Sequence, residues 1–468
     1  MRTLLTLLFS LLISAQALAA SSSVLTLDAT QETHAPETFA EALPLSLDAR
    51  HDGEWRLQGE TLTWTHTVVV HDAQALALEL DALRLPVGAS LQIGDTNWQG
   101  PLDATTLFTR HQPGTQLLLK AQMPRAVADD FMLRVVQVQA AFRDPLAPPA
   151  AVSAKAGSCT VNYSCTADPA VQQWGRAVVA LIVLNTATCT GTLMNNTADD
   201  ARPYLLTAKH CYSSAGSTDP VRAAASLRMA WNAVASCGSP LASAWGSGAT
   251  FTEGAVHRAQ YGDSWLVELT SRPPQGLDPW YSGFDAGDQL PAGALTGLHH
   301  AGGMQKQLLS AGTVSLTTRL TSFLLGVDLL GWALAPQQGG AAAGASGSGL
   351  FDARGQLIGT LSTGVACDAA DPQLTYARLA QAWAGDGTVG GSLKPWLAPA
   401  SNATVLAGKS FSGVSLPPLV VPPATVVPES TASATDDLAA GGSLSAGLLL
   451  LLLLACVGRM AAVQRSIF

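Results

Sequence analysis

The chain has 468 residues, of which 48% are hydrophobic and only 13% charged, with 43 glycines and 26 prolines. That length exceeds one domain, and so many turn-forming residues exclude a helical bundle in favour of loop-rich β-structure. A formal net charge of −9 excludes the basic face that nucleic acid requires of a partner.

Met1-Arg2, the apolar stretch from Leu4 to Ile13 and Ala17-Leu18-Ala19 supply the charged, apolar and small-residue regions of a secretory signal peptide. Cleavage after Ala19 is expected, giving a signal peptide over 1–19 and an oxidising destination where cysteines read first as disulfide partners. Six of the seven cysteines (Cys159, Cys165, Cys189, Cys211, Cys237, Cys367) lie in the middle of the chain, and Cys456 stands alone in an apolar C-terminal run. Between 41 and 144, runs such as Leu62-Thr63-Trp64-Thr65 and Val68-Val69-Val70 alternate with Gly, Pro and Asp turns, which predicts a β-sandwich. It holds no cysteine and no cluster of convergent reactive groups, so a non-catalytic, β-rich prodomain over 20–155 is expected. The Pro/Ala-rich stretch 145–156 carries one basic residue, Lys155, and reads as a processing linker.

Short apolar runs resume from Cys159 to 397, for example Val178-Val179-Ala180-Leu181-Ile182-Val183 and Leu266-Val267-Glu268-Leu269, and predict closed barrels or a sandwich. Residues 398–440 are rich in Pro, Val, Ser and Thr and read as an extended spacer, with a few extra strands as the other reading. In the tail, 441–468, Gly441-Gly442-Ser443 precedes a mostly apolar run from Leu444 to Gly458, then Arg459 and Arg465. That run is short against the roughly 20 residues of a bilayer span. The pattern resembles the GlyGly-CTERM sorting signal of secreted bacterial proteins. The resemblance implies transient membrane association and processing by rhombosortase, a rhomboid-type membrane protease; a plain single-span anchor is the other reading.

Three local sequences carry chemistry. A serine hydroxyl is a weak nucleophile until an imidazole takes its proton and a carboxylate fixes the tautomer of that ring. Leu205-Leu206-Thr207-Ala208-Lys209-His210-Cys211 ends an apolar strand on a histidine beside a cysteine, and His210 is the expected general base. Asp263-Ser264-Trp265-Leu266 puts an acid at the mouth of an apolar strand, as the expected orienting carboxylate. Gly344-Ala345-Ser346-Gly347-Ser348-Gly349 is a Gly-rich turn entering a strand, with Ser346 as nucleophile and the amides of Gly344 and Ser346 as an oxyanion hole. The order His, Asp, Ser is that of the chymotrypsin type; α/β-hydrolases and subtilisins order the same groups differently.

With Cys189-Thr190-Gly191-Thr192-Leu193, Asn195-Asn196-Thr197, Gly283-Phe284-Asp285, Asp288-Gln289 and His299-His300, the region 159–397 resembles the lysyl endopeptidase branch of chymotrypsin-like proteases. The resemblance implies an all-β, two-barrel protease domain over 156–397, made with an N-terminal propeptide and secreted by a bacterium. It also implies the bridges Cys159 with Cys367, Cys165 with Cys237 and Cys189 with Cys211, a choice spacing alone leaves open among fifteen pairings. His299-His300 read as structural, since strand neighbours face opposite ways, and neither metal nor organic cofactor is expected.

Two positions depart from the family. Ala345 replaces the Asp with which trypsin captures its new N-terminus, so removal of 20–155, with cleavage after Lys155, is the expected activation. Leu374 stands where lysyl endopeptidases carry the acid at the base of the substrate pocket, leaving Asp371 or Asp368 to replace it, and Gly340 stands where trypsins carry theirs. Substrate contacts are expected from Ser362, Thr363 and Gly364, which follow the nucleophile turn, and from Asp371. The reading is a secreted serine endopeptidase acting on proteins or peptides, with a preference for Lys or Arg favoured by Lys155. A non-catalytic surface binding protein on a degenerate protease fold is the main rival, and an esterase the third reading.

Overall fold

The computed structural model describes residues 21–27, 37–144, 160–364 apart from 247, 313, 315 and 323–326, and 373–423. The expected signal peptide, the linker with Lys155, the sorting tail, Asp368, Asp371 and the Cys159 and Cys367 pair lie outside the described residues.

Strand Thr61–His71 shows why the N-terminal region folds as two sheets. Trp64, His66, Val68 and Val70 are buried while the residues between them are not, and because successive side chains leave a strand on opposite faces, one face is apolar. This strand pairs antiparallel with Gln116–Pro124 and parallel with Ser22–Thr26. In the facing sheet Met132–Ala141 lies between Ala75–Leu85 and Ala40–Asp48. Trp64, Val68 and Leu119 from one sheet meet Leu76, Leu78, Leu80, Leu133 and Val138 from the other in a single core, which makes a β-sandwich.

The region from Val161 onward builds two further sheets. The first has seven strands and contains, as consecutive neighbours, Val178–Val183, Ala187–Met194, Tyr204–Ala208 and Ser264–Leu269. All five residues of Tyr204–Ala208 are buried, which is why it reads as an unbroken apolar run rather than an alternation. The second has ten strands, with Leu295–His299, Gly349–Phe351, Gln356–Gly364 and Leu374–Arg378 side by side. Each sheet encloses a core of its own. A third cluster joins them: Val178, Met194, Leu206 and Leu266 from the first sheet pack with Leu298, Phe351 and Leu357 from the second. The fold is all-β, with the two sheets as the halves of a chymotrypsin-like domain. Among the described residues no helix is long and apolar enough to cross a membrane.

Residues 398–411, expected to open a poorly packed spacer, are packed. Val405–Leu406 pairs with Gly283–Asp285 and Lys409–Ser410 with Trp280–Tyr281, while the Phe411 ring lies 4.9 Å from that of Tyr281. Further along, Arg272 donates to the carbonyl of Pro417, Arg202 to that of Val420, and Arg258 to those of Pro422 and Pro423. Proline has lost its N–H but keeps its carbonyl, so arginines of the domain can hold a segment whose composition alone suggests none of this.

The sandwich rests on the seven-stranded sheet. Phe39, Ala40, Ala75 and Ala141 pack against Ala180, Ile182, Ala230 and Trp245. The buried carboxylate of Glu79 takes both guanidinium bonds of Arg222 at 2.5 Å, and Asn185 Nδ2 donates to the carbonyl of Thr109 at 2.9 Å.

Candidate active site

Gly262 and Asp263 form the two-residue turn between Ala255–Tyr261 and Ser264–Leu269, with Tyr261 paired to Ser264. The φ of +57° at Gly262 is the left-handed start that such hairpin turns favour. The turn delivers the Asp263 carboxylate to the end of Tyr204–Ala208, where Lys209 N donates to the carbonyl of Asp263 at 2.7 Å and His210 N to its Oδ1 at 2.9 Å. Asp263 Oδ2 lies 2.7 Å from His210 Nδ1. Both side chains are buried. With Nδ1–H donating to the carboxylate, the lone pair of His210 is on Nε2, which is what a general base requires. Burial pulls the pKa of His210 down, but the charge and hydrogen bond of Asp263, helped by the charge of Glu37, outweigh it and leave the ring above its ordinary value.

The nucleophile turn is fixed by close backbone approaches. Gly347 has a φ of +80°, and a Cβ there would lie 2.2 Å from Thr207 Oγ1 and 2.5 Å from the carbonyl of Thr190. Only glycine fits. Thr190 ties the turn from the other side: its N–H donates to the carbonyl of Ser346 at 2.8 Å, and its hydroxyl donates to the carbonyl of Gly344 at 2.9 Å while accepting from His300 N at 3.0 Å. The disulfide Cys189–Cys211 then joins the strand of Thr190 to the short helix that His210 begins. A second bridge links Cys165 and Cys237.

The expected residues are thus brought to one place in different degrees. His210 and Asp263 are bonded side chain to side chain, whereas Ser346 is held by its backbone carbonyl, which accepts from Thr190 N. Among the described residues the Ser346 hydroxyl makes no hydrogen bond, to His210 Nε2 or otherwise. The amides of Gly344 and Ser346 are likewise unpartnered among the described residues, while Ala345, Gly347 and Ser348 between and after them all donate to carbonyls. Two free N–H groups alternating with engaged ones are what an oxyanion site needs.

Ser362, expected only at the substrate edge, has its hydroxyl donated to Asp263 Oδ2 at 2.5 Å. Thr363 and Gly364 pair with Thr375 and Leu374 on one side and have no strand partner on the other among the described residues. Leu374 is buried in an apolar cluster with Ala341, Ile358, Leu361 and Trp332. Sequence reasoning missed the Ser362 bond to Asp263 and the clamping role of Thr190, which stood only as part of a family motif. His299 and His300 face backbone partners: Ala301 N donates to His299 Nδ1 at 3.3 Å, and His300 Nδ1 is 2.9 Å from the carbonyl of Met304.

Residues 153–376 match the family defined by the lysyl endopeptidase C-terminal domain. That region is similar to the lysyl endopeptidase domain. A lysyl endopeptidase of Pseudomonas aeruginosa is 25% identical over 295 residues, a match that covers 58% of this chain and 58% of that relative. Among solved structures, the active form of the Rv3671c protease from M. tuberculosis is 16% identical, covering 53% of this chain and 92% of its own, with a TM-score of 0.33. The MamO protease domain of Magnetospirillum magneticum is 13% identical over 44% of this chain and 93% of its own, at a TM-score of 0.29. The fold of this region stands on its own two sheets.

Proposed function

We propose that the chain is a secreted serine endopeptidase in which His210 takes the proton of Ser346, the alkoxide attacks a peptide carbonyl, and the amides of Gly344 and Ser346 hold the oxyanion. Asp263 keeps the imidazole oriented, and the acyl-enzyme that results is released by water through the same base. The observation that carries this reading is the buried His210–Asp263 pair, joined by a disulfide to the strand that grips the backbone of Ser346. A hydroxyl still unbonded to its base does not oppose it, because catalytic hydrogen bonds tighten when substrate binds. The acyl side of the substrate would add to the open edge of Ser362, Thr363 and Gly364. In this reading 1–19 is removed on export, 20–155 is a prodomain, 156–397 is the enzyme, and the tail from 441 gives transient membrane association.

A preference for Lys or Arg requires Asp371 or Asp368 to serve the pocket. The apolar setting of Leu374 and Ala341 favours a small or apolar side chain instead, and peptides varied at that position decide between them. Ser346→Ala is expected to abolish both casein cleavage and labelling by a fluorophosphonate probe. Undiminished hydrolysis by that variant rejects the assignment, and absence of labelling in the wild type favours a non-catalytic binding protein.

A further inference from the structure

Asp263 reaches His210 from a hairpin at the margin of its sheet. Ala255–Tyr261 is the last strand of the seven-stranded sheet and pairs, among the described residues, only with Ser264–Leu269. One flank of the hairpin is therefore fastened to Tyr204–Ala208, while the other meets no further strand among the described residues. A strand bonded on one side opens more readily than one bonded on both. Yet the tip has to stay in place to keep Asp263 Oδ2 at 2.7 Å from His210 Nδ1. Near the tip, Tyr212 in the short helix that His210 begins donates its hydroxyl to Gln260 Oε1.

Further from the tip the fastening comes from beyond residues 153–376, which match the lysyl endopeptidase family. Arg258 donates from Nε to Glu268 Oε2 at 2.8 Å, across the hairpin, and from Nη1 and Nη2 to the carbonyls of Pro423 at 3.1 Å and Pro422 at 2.6 Å. Arg202 donates to the other oxygen of Glu268 at 2.8 Å and to the carbonyl of Val420 at 3.3 Å, and Arg272 to that of Pro417 at 3.1 Å. Arg258 and Glu268 are both buried, and the Trp396 ring centroid lies 5.2 Å from the guanidinium carbon of Arg258. A buried ion pair needs its remaining donors satisfied to hold firmly, and the carbonyls of Pro422 and Pro423 satisfy two of those that Glu268 leaves.

We propose that 417–423 is a strap that clamps this hairpin, and that Arg258 is a positioning residue that keeps Asp263 against His210 through the strand between them. Prolines suit a strap because they stiffen the backbone before it docks and leave their carbonyls free to accept. The inference rests on the enzymatic reading above and adds that a segment beyond the family match is needed for full turnover.

Two full-length variants test it. Arg258→Lys keeps a cation for Glu268 but lacks the fork that reaches both carbonyls. The second carries Pro417→Gly, Pro418→Gly, Pro422→Gly and Pro423→Gly, which keep every carbonyl, free the backbone and touch no residue of the hairpin. On N-acyl-amino-acid nitrophenyl esters, kcat is expected to fall about tenfold in each variant, with KM changed by less than about twofold, since a small misplacement of a catalytic group costs turnover rather than binding. The charges acting on the His210 ring are those of Asp263 and Glu37, and both raise its pKa. A loosened Asp263 therefore moves the acid limb of kcat/KM to lower pH, a shift that a merely structural role would not give. Amide hydrogen exchange in 255–269 is expected to quicken in both variants while that of Val178–Val183 stays as in wild type. An unaltered kcat in both variants overturns the proposal, and so does a loss of kcat with the acid limb in its place. Failure of the enzymatic reading is recognised separately, as absence of fluorophosphonate labelling in the wild type; exchange in 255–269 then still decides whether the strap clamps the hairpin, and unchanged exchange overturns it.

Discussion

At His210 burial competes with the charges of Asp263 and Glu37 and the Asp263 hydrogen bond, and the sign of the outcome sets the pH response. The ring must be neutral to act as a base, and its pKa is held above the ordinary value, so the acid limb of kcat/KM is expected to have its midpoint above about 6.5. A pH profile on the ester substrates measures this, and a midpoint at or below that value contradicts it. The linked stability runs the other way. A raised folded pKa means that the pair stabilises the fold fully below about pH 6.5 and that this contribution disappears as pH rises through the folded value. Asp263→Asn keeps the shape but lets the ring adopt the wrong tautomer, and a fall in kcat of about 10⁴ is expected. Measured stability should drop as well, since Ser362 Oγ and two donors of His210 converge on that carboxylate.

At the scale of elements, the nucleophile turn is positioned by a neighbouring strand more than by its own residues. Thr190→Val would leave the carbonyl of Gly344 and the N–H of His300 unpaired in a buried place, at a cost of about 1–3 kcal/mol. Because Gly344 also carries one of the two amides proposed to hold the oxyanion, kcat is expected to fall while KM changes little, with urea unfolding reporting the stability loss. Thr190→Ser, which restores the hydroxyl, should recover most of both. A merely structural role for Thr190 would lower the urea midpoint without this split between kcat and KM.

At the scale of the molecule, burial keeps several imidazoles neutral. The pKa is pushed down to about 3 in His111 and His300 and to about 4 in His257 and His299, in each case chiefly by loss of solvent. In the unfolded chain these rings titrate near 6.5. The unfolded state therefore binds more protons as pH falls from about 6.5 towards 4, and stability falls with it. A lower Tm at pH 4.5 than at pH 7 is the expected result. His111 packs edge-on against Phe39 with ring centroids 5.3 Å apart, and Arg228 adds to the depression of its pKa. Protonation there places a charge beneath the segment paired with Ala187, so acid is expected to weaken the contact between the sandwich and the following sheet, which size-exclusion chromatography of linker-cleaved protein across this pH range reads.

Much of the fold was legible because its signals are local. Period-two burial in Thr61–His71 and the unbroken apolar run of Tyr204–Ala208 are properties of single strands, and a Gly-rich turn before a strand marks a tight backbone wherever it occurs. The positions of His210 and Asp263 at strand ends and of Ser346 in a turn were legible for a similar reason, since each depends on its own local sequence. The packing of 398–411 was not legible, since its partners are strands and arginines more than a hundred residues away, and composition carries no trace of them. Nor was the second bond on Asp263, which needs Ser362 to arrive from the other sheet. The sequence by itself determined which residues could make a nucleophile, a base and an orienting acid, because that depends on functional groups and local backbone. Only the tertiary structure decided what surrounds them, including the clamp of Thr190 and the pairing of Glu37–Phe39 with Thr186–Thr188, because both are hydrogen bonds between segments that meet only when the whole chain has folded.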